Sequence, residues 1–178
     1  MKKIVFFDGD GTLWYPKSTK RTRKPHWIYY DPKIKKVYLK YLSLTPGVVK
    51  TLMKLRGLGM MTVVISTNPR KARAADAEVK AKVRHFGLEE LVDEVHAARP
   101  VPSGKGAVIR RVLRRHGLSR SAAIIVGDSY TFDYLAAKNV GVEGLLMDTP
   151  YLSPGAGRVK HKIKKLEEIM PYVAKGRR

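Results

Sequence analysis

Cysteine is absent from this chain of 178 residues. Its absence excludes disulfides, thiolate nucleophiles and cysteine zinc sites, so any metal must be held through oxygen or histidine. The histidines His26, His85, His96, His116 and His161 are scattered and suggest no ligand set, which speaks against zinc. No apolar run approaches the roughly 20 residues that span a bilayer. The N-terminus runs straight into an apolar strand, without the charged, apolar and small-residue regions of a signal peptide. A cytoplasmic protein with no membrane partner is expected. Acids are also scarce, 15 Asp+Glu against 36 Lys+Arg, for a formal charge of +21. Such a field attracts polyanions and phosphorylated substrates. A general surface preference for lysine and arginine, or an acidic partner, would give the same composition.

Within that composition one stretch organises the rest. Ile4, Val5, Phe6 and Phe7 form an apolar run that ends in Asp8-Gly9-Asp10-Gly11-Thr12. A short continuous apolar run bounded by turn residues predicts a buried central strand of a parallel sheet. Asp8 and Asp10 then lie at its carboxyl end, where open α/β sheets bind ligands, and two carboxylates there suit a hard cation plus a phosphate. Asp-Gly pairs also make ordinary turns.

Downstream, strands alternate with helices. Strands are predicted at Met61–Ile65, Leu91–Ala97, Ala122–Val126 and Val142–Met147. Helices are predicted from Val48 to Gly57, from Pro69 to about His85, over Lys105–Arg115 and over Tyr130–Lys138. A basic amphipathic helix is expected at about 158–174, with Ile163, Leu166, Ile169 and Met170 on its apolar face. This rhythm implies an α/β fold, a doubly wound Rossmann-like parallel sheet of about five strands, in a single domain. The segment at about 15–45 breaks the rhythm. It holds Pro16, Pro25 and Pro32, the aromatics Trp27, Tyr29, Tyr30, Tyr38 and Tyr41, and many lysines and arginines, and reads as a flap or cap insertion, with the alternation over 27–30 and 36–42 suggesting a loop and a short hairpin there. Aromatics interleaved with cations are also the ingredients of a single-strand nucleic-acid surface.

The Asp8-Gly-Asp10-Gly-Thr12 motif resembles the nucleophile motif of the haloacid dehalogenase (HAD) superfamily of phosphohydrolases, and three further motifs of that superfamily have counterparts in the same order. The resemblance implies that Asp8 attacks phosphorus and forms an aspartyl-phosphate. It makes Asp10 the acid that protonates the leaving alcohol and then the base that activates water. The second motif falls at Ser66-Thr67, where the Ser66 hydroxyl, with Thr67 beside it, is implied to bind the phosphoryl group; Ser66 could instead cap the following helix, a role that Asn68 could serve equally well. The third is a cation, Lys105 or its rival Arg99 in Arg99-Pro100-Val101-Pro102; a lysine's compact charge suits the task better. The fourth is Gly127-Asp128-Ser129-Tyr130-Thr131-Phe132-Asp133. It implies a Mg2+ site of Asp8, the main-chain carbonyl of Asp10, Asp128 and, directly or through water, Asp133. The small insertion is similar to that of the magnesium-dependent phosphatase type with a minimal cap.

The expectation is a magnesium-dependent phosphomonoesterase for a small phosphorylated metabolite. The alternatives are phosphorylated nucleic-acid ends or phosphoprotein as substrate, or a nucleic-acid-binding protein that merely keeps the fold.

Overall fold

The computed structural model describes residues 1–174. The chain runs through β1 (Ile4–Phe7), β2 (Trp14–Pro16), β3 (Leu42–Leu44), α1 (Val48–Gly57), β4 (Met61–Thr67), α2 (Ala72–His85), β5 (Glu94–Ala98), α3 (Gly104–Arg115), β6 (Ala123–Gly127), α4 (Ala136–Lys138), β7 (Glu143–Met147), β8 (Lys162–Ile163) and α5 (Met170–Ala174). Six strands form a parallel sheet in the order β5-β4-β1-β6-β7-β8. β1 is central, and all four of its side chains are fully buried. Val5 and Phe7 face a core shared with α1 and α2, while Ile4 and Phe6 face one shared with α3. Apolar surface on both faces of the strand explains why its sequence runs without alternation.

The register sets the position of the site. Phe7 lies opposite Val64 of β4 and Val126 of β6, so the loops that follow β1, β4 and β6 emerge together at one edge. From β1 the chain builds outward to β4 and β5, then crosses back to β6 on the other side of β1. The reversal opens a crevice beyond the carboxyl ends of β1 and β6, the usual ligand position in such sheets.

Three expectations are corrected. The predicted helix over about 158–174 is replaced by β8, which pairs with β7 through Leu146↔Lys162 and Met147↔Ile163, then a 3-10 turn over Leu166–Ile169 and the short α5. Pro171 explains this, because inside a longer helix it would remove a backbone hydrogen bond and clash with the preceding turn, whereas the first turn of α5 tolerates it. Ile163, Leu166 and Ile169 are buried nonetheless. Helix α2 begins at Ala72 rather than Pro69, because the Asn68 side chain accepts from the Arg70 amide at 2.9 Å and holds a turn ahead of the helix. The hairpin of the insertion is made by β2 and β3, antiparallel, with Trp14 opposite Leu44. The aromatic stretches between them form 3-10 turns at Pro25–Tyr29 and Tyr38–Tyr41. Among the described residues no helix is long and apolar enough to cross a membrane.

Candidate active site

At the end of β1 the Asp8 amide donates to Val126 of β6 at 2.8 Å, which ties the first carboxylate to the neighbouring strand. The chain then turns tightly, with the Gly9 carbonyl accepting from the Leu13 and Trp14 amides. Gly11 has φ +88, and a Cβ there would lie 1.9 Å from Asp128 Oδ2. Glycine is required at this position by backbone conformation and by space alike.

Three of the expected residues converge. One carboxylate oxygen each of Asp8, Asp128 and Asp133 lies within 4.8 Å of the others, and all three residues are buried. Asp133 is brought in by a single π-helical segment, Tyr130–Leu135, of the kind that often marks functional positions. Its Oδ2 accepts from the Ser129 amide at 2.8 Å. Lys105, from the first turn of α3 and 2% exposed, donates to both Asp8 and Asp133. Arg99 is exposed, so the buried cation beside Asp8 is Lys105.

The electrostatics follow from the crowding. Burial raises the Asp8 carboxyl well above the ordinary range; Lys105 opposes the rise, and Asp133 and Asp128 add to it. Burial and then Asp133 push Asp128 up to about 7. Burial would lower Lys105, but Asp133 and Asp8 outweigh it and the ammonium is held charged. Three buried carboxylates against one ammonium leave an excess of negative charge with hard oxygen donors. This is a donor set that fits a divalent cation such as magnesium.

A cavity of about 200 Å³ opens beside this cluster, walled by Thr67, by Tyr130 and Phe132, and by Lys24 and His26 of the insertion.

The other expected residues are placed differently. Ser66 and Thr67 are neighbours in β4, and Thr67 lines the cavity while the Ser66 hydroxyl donates to Asp10 Oδ2 at 3.2 Å. The Asp10 carboxylate does not join the cluster. Its Oδ1 accepts from Trp14 Nε1 at 2.9 Å and from the Tyr29 hydroxyl, and its Oδ2 accepts from Lys82 Nζ at 2.9 Å. Burial would raise the Asp10 carboxyl, but the Lys82 charge and the hydrogen bonds from Tyr29 and Lys82 bring it below the ordinary value.

The sequence reading missed Lys82. A signal existed, because Lys82 falls with Ala75, Val79 and Val83 on the buried stripe of α2, where a lysine demands a partner. Tyr151, which donates to Asp128 at 2.6 Å, carried no comparable signal. Away from the site, His96 and His116 both reach Glu94 at 2.6 Å, so two histidines far apart in sequence do meet; they engage opposite oxygens of one glutamate.

The model of one protein family, the haloacid dehalogenase-like hydrolases, matches residues 7–147. The chain belongs to the haloacid dehalogenase-like hydrolases. A phosphoglycolate phosphatase of Synechococcus elongatus is 32% identical over 101 residues, covering 57% of this chain and 44% of that protein. Haloacid dehalogenase-like hydrolase domain-containing protein 3 of Danio rerio is 28% identical over 98 residues, covering 55% of this chain and 38% of that protein. The matched stretch thus spans less than half the length of these curated relatives. A haloacid dehalogenase-like family hydrolase from Streptococcus pneumoniae superposes with a TM-score of 0.71 at 18% identity, over 96% of this chain and 98% of that one, a likeness of fold. The family match begins at Phe7 and ends at Met147, so it takes in every residue of the cluster and leaves β8 and α5 outside.

Proposed function

We propose that this hydrolase is a magnesium-dependent phosphomonoesterase that works through an aspartyl-phosphate on Asp8. The observation that carries the reading is the convergence of Asp8, Asp128 and Asp133 around Lys105 at the floor of the cavity. A phosphomonoester dianion repels nucleophiles, and a site that cleaves it must neutralise charge and hold phosphorus in line. Asp8, Asp128 and the Asp10 carbonyl would hold the metal, which when bound supplies positive charge to the phosphoryl oxygens and to the Asp8 carboxylate. Asp133 already uses both oxygens, on Lys105 and on the Ser129 amide, and its contribution is better made through water.

A carboxylate oxygen of Asp8 attacks phosphorus as the bond to the leaving oxygen breaks, and Lys105 and Thr67 steady the transferring group. The departing oxygen takes its proton from Asp10. Asp10 then removes a proton from water, the water oxygen attacks phosphorus, and the bond to Asp8 breaks to give inorganic phosphate. The donors around Asp10 favour its carboxylate form, the form needed for the second half. The incoming dianion counters that bias by raising the proton affinity of a neighbouring carboxylate.

A cavity of about 200 Å³ suits a phosphoryl group with a small leaving alcohol, so the substrate class is a small phosphorylated metabolite. The relative named a phosphoglycolate phosphatase is consistent with this class. The test is phosphate release from a panel of small phosphomonoesters and of 3′- and 5′-phosphorylated oligonucleotides, with magnesium and with chelator, against Asp8→Asn as control. Turnover of small esters that needs both magnesium and Asp8 is the expected result. Turnover that persists in chelator or in Asp8→Asn overturns the reading.

A further inference from the structure

Lys82 is 2% exposed on the inward face of α2. Its ammonium lies 4.3 Å from the ring centroid of Tyr29, 5.6 Å from that of Tyr38 and 6.0 Å from that of Trp14, and 2.9 Å from Asp10 Oδ2. Tyr29 and Tyr38 both belong to the insertion and meet edge to face, with centroids 4.9 Å apart. Tyr29 also reaches past Lys82 to donate its hydroxyl to Asp10. The 3-10 turn of the insertion, α2, β4 and the start of β2 therefore each place a donor on one carboxylate.

An ammonium enclosed by three rings is costly to bury, and an apolar side chain of similar length would pack there with less penalty. What the ammonium adds is direction. Four donors from four segments leave the carboxylate one orientation, whereas an apolar neighbour would let it rotate. We propose that Lys82 is a positioning residue for Asp10, and that the insertion, through Tyr29 and Tyr38, is a fixed wall whose seating is felt in proton transfer to the leaving group. This inference rests on the acid role given to Asp10 above.

The experiment compares an alkyl phosphate, glycerol phosphate, with an aryl one, p-nitrophenyl phosphate, in the wild-type protein, Lys82→Met and Tyr29→Phe, each checked for cooperative thermal unfolding. The quantity is kcat/KM, which reports only events up to phosphoryl transfer onto Asp8, so water activation does not enter. An alkoxide needs the proton and a nitrophenolate scarcely does. Lys82→Met is expected to lower kcat/KM about 100-fold for the alkyl ester and less than about 10-fold for the aryl ester, within the range of general acid catalysis. Tyr29→Phe is expected to lower the alkyl value about 5-fold and leave the aryl value near wild type. Equal losses on both esters would mark a merely structural role and overturn the proposal. If Lys82→Met does not fold, Tyr29→Phe decides alone, and an unchanged alkyl-to-aryl ratio overturns the proposal. A wild-type protein inactive on both esters removes the phosphatase reading and this inference with it, an outcome visible before any variant is compared.

Discussion

The Tyr151 hydroxyl donates to Asp128 Oδ2 at 2.6 Å, reaching across from the loop after β7 to the carboxylate that follows β6. The contact sits directly above Gly11, where any Cβ would come within 2.8 Å of the same hydroxyl. The hydrogen bond favours the carboxylate form of Asp128 against burial and Asp133. Tyr151→Phe removes it while keeping the ring. Such supporting contacts are typically worth 10- to 100-fold in metal affinity, and an increase of about 10-fold in the magnesium concentration for half-maximal activity is expected. Calorimetric titration of magnesium into both proteins would check it, and equal affinities would remove Tyr151 from the site.

The raised carboxylates also set a pH dependence. In the folded metal-free protein Asp128 titrates near 7, above its ordinary value, and Asp8 is raised as well. A group whose folded pKa is raised holds its proton more tightly in the native state, so its contribution to stability is fully present below the ordinary value of about 4 and is lost as pH rises through about 7. Asp10 and Glu94 are shifted down, and their contributions are lost only as pH falls below about 4, outside this window. In chelator the Tm should therefore drop by several degrees between pH 5 and pH 8, and magnesium should restore most of the loss at pH 8. A Tm in chelator that stays level or rises across that range would contradict the assignment.

Lys105→Met probes the same cluster from the other side. It removes the cation that meets Asp8 and Asp133 and keeps an unbranched side chain of similar length. Breaking a buried ion pair by removing one partner costs on the order of 3–5 kcal/mol. The penalty should be largest at pH 8, where the carboxylates are ionised, and smaller at pH 5, where they can hold protons. Urea unfolding at the two pH values measures it, and an equal loss at both would mean that charge is not the cause.

These sites differ in how far the sequence could reveal them. Asp8 and Asp128 were legible because β1 and β6 are buried on both faces, so their continuous apolar runs mark both the strand and the point where it ends. The sequence pointed to Ser66 for the phosphoryl group, and that Thr67 rather than Ser66 lines the cavity was not legible. It depends on which residue of β4 points to which side of Asp8, a one-residue question of register. Lys82 is the instructive miss, since its spacing placed it on a buried stripe, but its partner lies 72 residues away in the turn after β1. The end of the chain misled because Ile163, Leu166, Ile169 and Met170 keep a spacing that suits a helix, while Pro171 and pairing with β7 decide otherwise.

The basic insertion yields the last prediction. Tyr29 and Tyr38 are turned onto Lys82, and Arg23 lies over the Trp27 ring with 5.5 Å to its centroid. Tyr30 and Tyr41 are the large aromatics of the insertion that remain well exposed, at 72% and 45%. A single-strand surface needs successive rings for stacking as well as cations for phosphate, and here the cations have outlasted the rings. Lys33, Lys35, Lys36 and Lys40 are exposed and away from the cavity, so their joint replacement by glutamine tests the charge alone. Turnover of a small phosphoester should stay within about twofold of wild type, because small-ester chemistry needs none of them. A single-stranded oligonucleotide and a sulfated polysaccharide of equal charge should bind the wild-type protein alike and weaken alike as salt rises, with the slope falling by up to about 3 in the variant. Tight oligonucleotide binding that the polysaccharide does not match, and that survives in high salt, would show base stacking and make a nucleic-acid end the better substrate.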